Sequence, residues 1–194
     1  MKMVSSSKLR RAQERIVRCR PYAKEMLRVF NNLATRVDPS KHPLLNDDPQ
    51  SGRTLLIVIT ADRGLAGAFN ASVLRRSLEE ADAERAQGRG IVWYAAGRKG
   101  AGSLRFRGAE PRHVWTGFTD RPDYKDAEQI AHQLIEDYTE GVFDRLVIVF
   151  NHFDSPIVQT VYAEEILPVP LPQELVEMSA RDRALMGELL FEPD

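Results

Sequence analysis

Two short stretches of this 194-residue chain carry the residue types that do chemistry. Asp62 and Arg63 open a glycine turn, Asp62-Arg-Gly-Leu-Ala-Gly-Ala-Phe-Asn70, and Asn151, His152 and Asp154 follow a second apolar run. A carboxylate beside a histidine can act as general acid and base. A glycine turn between strand and helix is also where nucleotide folds seat phosphate, because the unpaired N–H groups of the helix start point at the anion.

Neither chemistry is completed by its neighbours. There is no G-x-x-x-x-G-K-[ST], and Gly64 with Gly67 does not make G-x-G-x-x-G. The plainer reading is preferred: the glycines let the backbone turn sharply and pack closely. No glycine-flanked serine, activated cysteine or second basic group joins Asp62, Arg63, His152 and Asp154. Polar residues after any strand commonly cap helices and solvate loops. A small phosphotransfer or hydrolytic enzyme built on those four residues is therefore the alternative reading. His42, His113, His132 and His152 show no i, i+3 or i, i+4 pair, so neither a metal nor any other cofactor is expected.

The elements that would position these residues follow a β-α alternation. Thr54–Thr60 is a continuous apolar run of strand length, the pattern of a buried parallel strand. A helix from Asn70, its expected cap, runs to about Gln87 with Gly88 just past its end. Ile91–Ala96 and Arg112–Trp115 read as strands, with at most a short glycine-broken helix between them. Asp123–Tyr138 has apolar residues at Ala127, Ile130, Ala131, Leu134 and Ile135, an amphipathic helix. Arg145–Asn151 is a further buried strand. Val158–Leu167 is expected at a sheet edge, flanked by Pro156 and Pro168. The expected fold class is α/β, a mostly parallel Rossmann-like sheet with flanking helices over 53–194. A Pro-rich linker, 38–52, precedes it.

Ahead of the linker stands a different object, a helix over 1–37. Leu9, Ala12, Ile16, Cys19, Ala23, Met26, Phe30, Leu33 and Val37 recur at alternating steps of three and four, the seam of a coiled coil. The residues around the seam are read as a polar and basic coat. At 1.5 Å per residue the helix is about 55 Å long. Pro21 is expected to bend it and Asp38-Pro39 to end it. No other segment of the chain carries a comparable seam, so the helix needs a long partner. Cys19 reads as a small apolar seam residue, buried against that partner. It is the one cysteine, which excludes an internal disulfide and fits a reducing compartment.

Charge separates the two parts. Ten basic residues face two acidic ones in Met1–Arg36, a net of +8, so the rest of a chain of net charge −1 carries −9. Such a basic arm favours a partner of complementary charge. Nucleic acid is not expected, because no aromatic residues are interleaved with the basic ones to stack on bases. No stretch approaches the roughly 18 consecutive apolar residues of a membrane span.

Three segments carry a family resemblance. Met1-Lys-Met-Val-Ser-Ser-Ser-Lys-Leu-Arg-Arg-Ala-Gln13 with Arg20-Pro-Tyr-Ala23 resembles the N-terminal helix of the gamma subunit of F-type ATP synthases. Thr60–Asn70 resembles that family's glycine turn after its first strand, and Phe191-Glu-Pro-Asp194 its approach to the C-terminal helix. The resemblance implies a central-stalk rotor that catalyses nothing itself and couples c-ring rotation to ATP synthesis at the beta subunits. Its partners would be the alpha, beta and epsilon subunits and the c-ring. Its place would be peripheral, on the cytoplasmic face of the bacterial plasma membrane. By motif matching, Lys8, Arg10, Arg11 and Arg15 are implied as a beta-facing collar, and Leu190, Phe191 and Glu192 as a foot toward the c-ring and epsilon. Family members begin ahead of the position of Met1 and continue as a long helix beyond Asp194. The chain is accordingly expected to be a truncated form, unable to transmit torque and prone to self-association through its seam.

Overall fold

The computed structural model describes residues 2–34, 43–45, 51–119, 122–155 and 158–169. Residues 43–170 form one compact unit and the first helix belongs to a second.

The compact unit is a five-stranded sheet in the order β3-β2-β1-β4-β5. Its strands are β1 (Arg53–Ile59), β2 (Gly90–Ala96), β3 (His113–Trp115), β4 (Arg145–Phe153) and β5 (Gln159–Leu167). Helices α2 (Phe69–Ala86), α3 (Arg98–Phe106) and α4 (Tyr124–Thr139) alternate with them. β1 pairs parallel with β2 and β4, and β2 parallel with β3, while β5 returns antiparallel along β4. The mostly parallel α/β sheet is therefore present, with β5 at the edge where its flanking prolines place it.

The apolar run of β1 is buried on both faces, as a parallel strand with helices on each side requires. Leu56 and Val58 face α2 and α3 together with Trp93, Ala95, Val147 and Val149. Leu55 and Ile57 face the other way, packing with Tyr94, Ala96, Leu146 and Leu134 of α4. The period of two along each strand produces this division. Leu45 is buried, and the Val169 N–H donates to the Leu44 carbonyl, so part of the 38–52 stretch packs on the sheet unit.

Local signals set the helix ends. Asp123 and Asp126 form a reciprocal capping box at the start of α4. Gly88, at φ +81°, follows the end of α2. Asn70 does not cap α2 as expected. It lies inside the helix, and its side-chain oxygen accepts the Ala61 N–H at 2.9 Å, satisfying the backbone just past β1.

The first helix, α1 (Lys2–Ala34), continues through Pro21. Its expected stop at Asp38-Pro39 lies outside the described residues. Leu9, Ala12, Ile16, Ala23 and Met26 are exposed, and Phe30 is half-buried. Cys19 lies on the same face and is exposed as well. The coat around the seam is also less polar than its charge implies: Val17, Tyr22, Leu27 and Val29 are exposed as well. The Leu33 side chain and the whole of Val37 lie outside what is described.

Candidate functional site

The carboxyl ends of the parallel strands are where an open α/β sheet binds ligands. Here the loops after β1, β2 and β3 meet, and Asp62 joins them. Its Oδ1 accepts the Arg98 N–H at 3.0 Å. Its Oδ2 accepts the Gly117 N–H and the Thr119 hydroxyl, each at 2.8 Å. The Asp62 N–H in turn donates to Thr119 Oγ1 at 3.1 Å. Partial burial alone would raise the carboxyl's pKa, but the hydrogen bonds from Thr119, Arg98 and Gly117 outweigh it and hold the group below its usual 3.8. Arg98 is the first residue of α3. The helix start that could have received a phosphate already holds the protein's own carboxylate.

The switch point of the sheet lies between β1 and β4, and there is a shallow groove beside it of about 250 Å³. Ala66, Ala68, Phe69 and Ser72 line one side, and Asn151, Gln159 and Val161 the other. None of these side chains is charged, so the groove offers a nucleotide's phosphates no cation. The turn above it is strained outward: Leu65 sits at φ +60° with its side chain fully exposed.

The five residues singled out for chemistry do not converge. Asn151 and His152 do not follow β4 as expected. They lie within it, opposite Val161 and Thr160, because the hairpin with β5 prolongs the strand. His152 Nε2 is 3.5 Å from Asp154 Oδ1, with both side chains about two-fifths exposed, and its ring meets Tyr162 edge-on. Asp62 is spent on loops at the β2 and β3 side of β1, whereas His152 and Asp154 belong to the β4–β5 side. Arg63 is exposed. Beta-strand order brings β1 and β4 together as foreseen, but not the side chains of an acid–base pair.

Two buried charged groups were missed. Glu84, 2% exposed, lies on the inner face of α2 and accepts from Thr54, Arg89 and Arg145. Arg145 extends the network to Glu165 at 2.8 Å, so one carboxylate ties α2 to β1, β4 and β5. Burial pushes the Glu84 carboxyl up, and the Arg89 and Thr54 hydrogen bonds with the charges of Arg145 and Arg89 bring it below its ordinary 4.5. Asp137 is the other, on the inner face of α4. Both stand at helical spacing from inward-facing neighbours, Leu74–Ser77–Ala81–Glu84 and Ile130–Leu134–Asp137, and that spacing could have located them.

On α1, Arg11, Glu14, Arg15 and Arg18 line a polar depression, and Arg10 pairs with Glu14 at 3.1 Å. Arg10, Arg11 and Arg15 are exposed. The Lys8 side chain, and Leu190, Phe191 and Glu192 entirely, lie outside what is described. Among the described residues no cluster could hold a metal ion, and no helix is long and apolar enough to cross a membrane.

Comparison with known proteins gives the family. The family model described as ATP synthase matches residues 1–194. The ATP synthase gamma chain of Chlorobaculum parvum is 34% identical over 197 residues, covering 100% of this chain and 65% of that protein. That of Streptomyces avermitilis is also 34% identical, with 100% and 64% covered. The chain thus spans a little under two thirds of the length of these curated relatives. Among solved structures, the central stalk and c-ring of the Tetrahymena thermophila mitochondrial ATP synthase contains a similar chain. It has a TM-score of 0.67 and 25% identity, with 97% of this chain and 84% of that one covered. A rotor chain of the Euglena gracilis mitochondrial ATP synthase, at 18% identity and a TM-score of 0.50, shares the fold. A long N-terminal helix, a mostly parallel α/β unit whose Asp62 is held by the loops after β2 and β3, and a family match over residues 1–194 agree: the chain belongs to the ATP synthase gamma family.

Proposed function

We propose that the chain serves as the central-stalk rotor of an F-type ATP synthase, coupling c-ring rotation to ATP synthesis at the beta subunits without catalysing a reaction itself. The observation that carries this reading is the exposed seam of α1, a 33-residue helix with apolar side chains open along one face. A helix of that kind is completed by another helix, and a stiff pair of helices is what a shaft requires. The Asp62 clasp supports the same reading, since it ties up the carboxylate that the enzyme alternative would use.

The partners are alpha, beta and epsilon subunits and the c-ring, and any contact with the membrane is made through them. The complex would lie on the cytoplasmic face of a bacterial plasma membrane. The domain plan is a shaft helix over 1–37, a linker over 38–52 and an α/β body over 53–194. Lys8, Arg10, Arg11 and Arg15 form the beta-facing collar, where exposed ion pairs worth about 1 kcal/mol or less exchange without trapping the rotor. Leu190, Phe191 and Glu192 form the foot toward the c-ring and epsilon.

Co-expression with alpha, beta and epsilon subunits tests this directly. The expected result is a complex that co-purifies and whose ATP hydrolysis depends on the chain. A chain that elutes alone, as a stable monomer with α1 fully helical, overturns the proposal.

A further inference from the structure

We propose that the buried Asp137 and the partly exposed His113 form a proton-binding pair that ties the docking of α4 on the sheet to pH. The Asp137 carboxyl is 2% exposed. Among the described residues its Oδ1 receives only a long hydrogen bond, 3.3 Å, from Gln133 one turn earlier on α4. Its Oδ2 is buried with no hydrogen-bond partner, 3.5 Å from His113 Nε2 on β3 and 3.5 Å from Arg112 Nε just before it.

The surroundings leave the pair short of protons. The His113 ring packs edge-on against Tyr94 of β2 at 4.8 Å and stacks with Trp115 at 5.7 Å, and the Tyr94 hydroxyl is itself buried without a partner. Arg112 is half-exposed and supplies the one facing guanidinium among the described residues. On α4 itself, Glu136 and the capping residue Glu140 add negative charge. From β1, Arg53 donates to the Gly141 carbonyl just past that cap. A carboxylate and a neutral imidazole facing each other there leave a buried charge that the half-exposed Arg112 guanidinium compensates from one side only. One proton on either atom converts an acceptor into a donor aimed at its neighbour and removes that charge. The ligand of this site is the proton.

The two groups respond in opposite directions. Burial, helped by Glu140, raises the Asp137 carboxyl above 3.8. Its contribution to α4 docking is whole below 3.8 and is lost as pH rises through the native value. Burial and the Arg112 charge lower the His113 imidazole below 6.5, against a smaller opposing effect of Glu136. Its contribution is whole above 6.5 and is lost as pH falls through the native value.

The test is amide exchange of α4, referenced to α2, in the full 194-residue chain across that window. In His113→Gln, α4 opening is expected to increase as pH rises above 3.8, by up to about tenfold per pH unit, the limit for one proton. In Asp137→Asn it is expected to increase as pH falls below 6.5, with the opposite slope. Equal, pH-independent α4 opening in both variants overturns the proposal. Carbon NMR titration of the wild-type Asp137 carboxyl and His113 ring stands beside the variants. Displaced midpoints support the pair, and midpoints at 3.8 and 6.5 overturn it even where a variant does not fold.

Discussion

The backbone of Gly97 passes so close to Thr60 that a Cβ on Gly97 would lie 2.1 Å from the Thr60 carbonyl oxygen. Gly97 sits at φ +117°, links β2 to α3, and donates its N–H to the Trp115 carbonyl at 2.8 Å. Thr60 is buried, donates its own N–H to the Ala96 carbonyl, and accepts the Gly100 N–H on its hydroxyl at 2.8 Å. The crossing therefore holds the ends of β1 and β2 together beneath the Asp62 clasp.

Gly97→Ala should be among the most damaging small substitutions in the chain. The obstacle is backbone and cannot rotate away, and the conformation itself disfavours a side chain. A loss of about 3–5 kcal/mol is expected, a large part of a typical domain's stability. Gly102→Ala on α3 is the control, because nothing lies within 4 Å of its Cβ. There the change should stabilise the helix by about 0.5–1 kcal/mol. Urea midpoints of the two variants decide the matter, and comparable midpoints would contradict the close approach.

Asp62→Ala removes the two carboxylate oxygens that accept three hydrogen bonds in the clasp and strands two backbone N–H groups. It should cost about 2–3 kcal/mol. It should leave nucleotide binding unchanged, since the carboxylate serves the fold. Because the native carboxyl is held below 3.8, its contribution is complete above that pH and disappears as pH falls through the native value. Asp62→Asn should accordingly flatten the acid limb of stability below 3.8 and nothing above it. A loss of measured ATP affinity in either variant would restore the enzyme reading.

Glu84→Gln leaves the Arg89 and Arg145 guanidiniums without their shared carboxylate at the inner face of α2. Breaking such a buried network from one side costs about 3–5 kcal/mol. Glu84 titrates below 4.5 in the folded chain, so its support is present above 4.5 and lost on acidification. Arg145→Met should cost less in the Glu84→Gln background than in the wild type. Additive losses in this double-mutant cycle would show that Glu84 and Arg145 do not act together.

What could be read from sequence divides along physical lines. The buried run of β1, the Pro-flanked edge strand β5 and the amphipathic pattern of α4 each depend on neighbours in the chain, and each was legible. The role of Asp62 was not, because its partners Arg98, Gly117 and Thr119 arrive from loops far along the sequence. A polar residue after a strand reads equally as catalyst or clasp until those loops are placed. Asn70 shows the same limit: a good capping residue was recruited across the turn by the unpaired Ala61 N–H. Glu84 and Asp137 are a different case. They interrupt apolar stripes at positions where a charge must be either exposed or paired, and a closer reading of helical spacing would have found both.

The seam of α1 yields the prediction that separates shaft from body. Ile16 and Met26 are exposed side chains on the seam, 37% and 51% accessible. Exposed positions tolerate substitution, so Ile16→Asp and Met26→Asp should move the unfolding midpoint of the sheet unit by no more than about 0.5 kcal/mol. The same changes place a carboxylate in the seam of a coiled coil, where the apolar surface of two helices must close. Assembly with alpha, beta and epsilon subunits should then fail although the body remains folded. Arg11→Glu with Arg15→Glu should instead weaken assembly in a salt-dependent manner, since that contact is ionic and exposed. Pull-down yields at two salt concentrations distinguish the two classes. Should the seam variants assemble as well as wild type, the helix would not be half of a shaft.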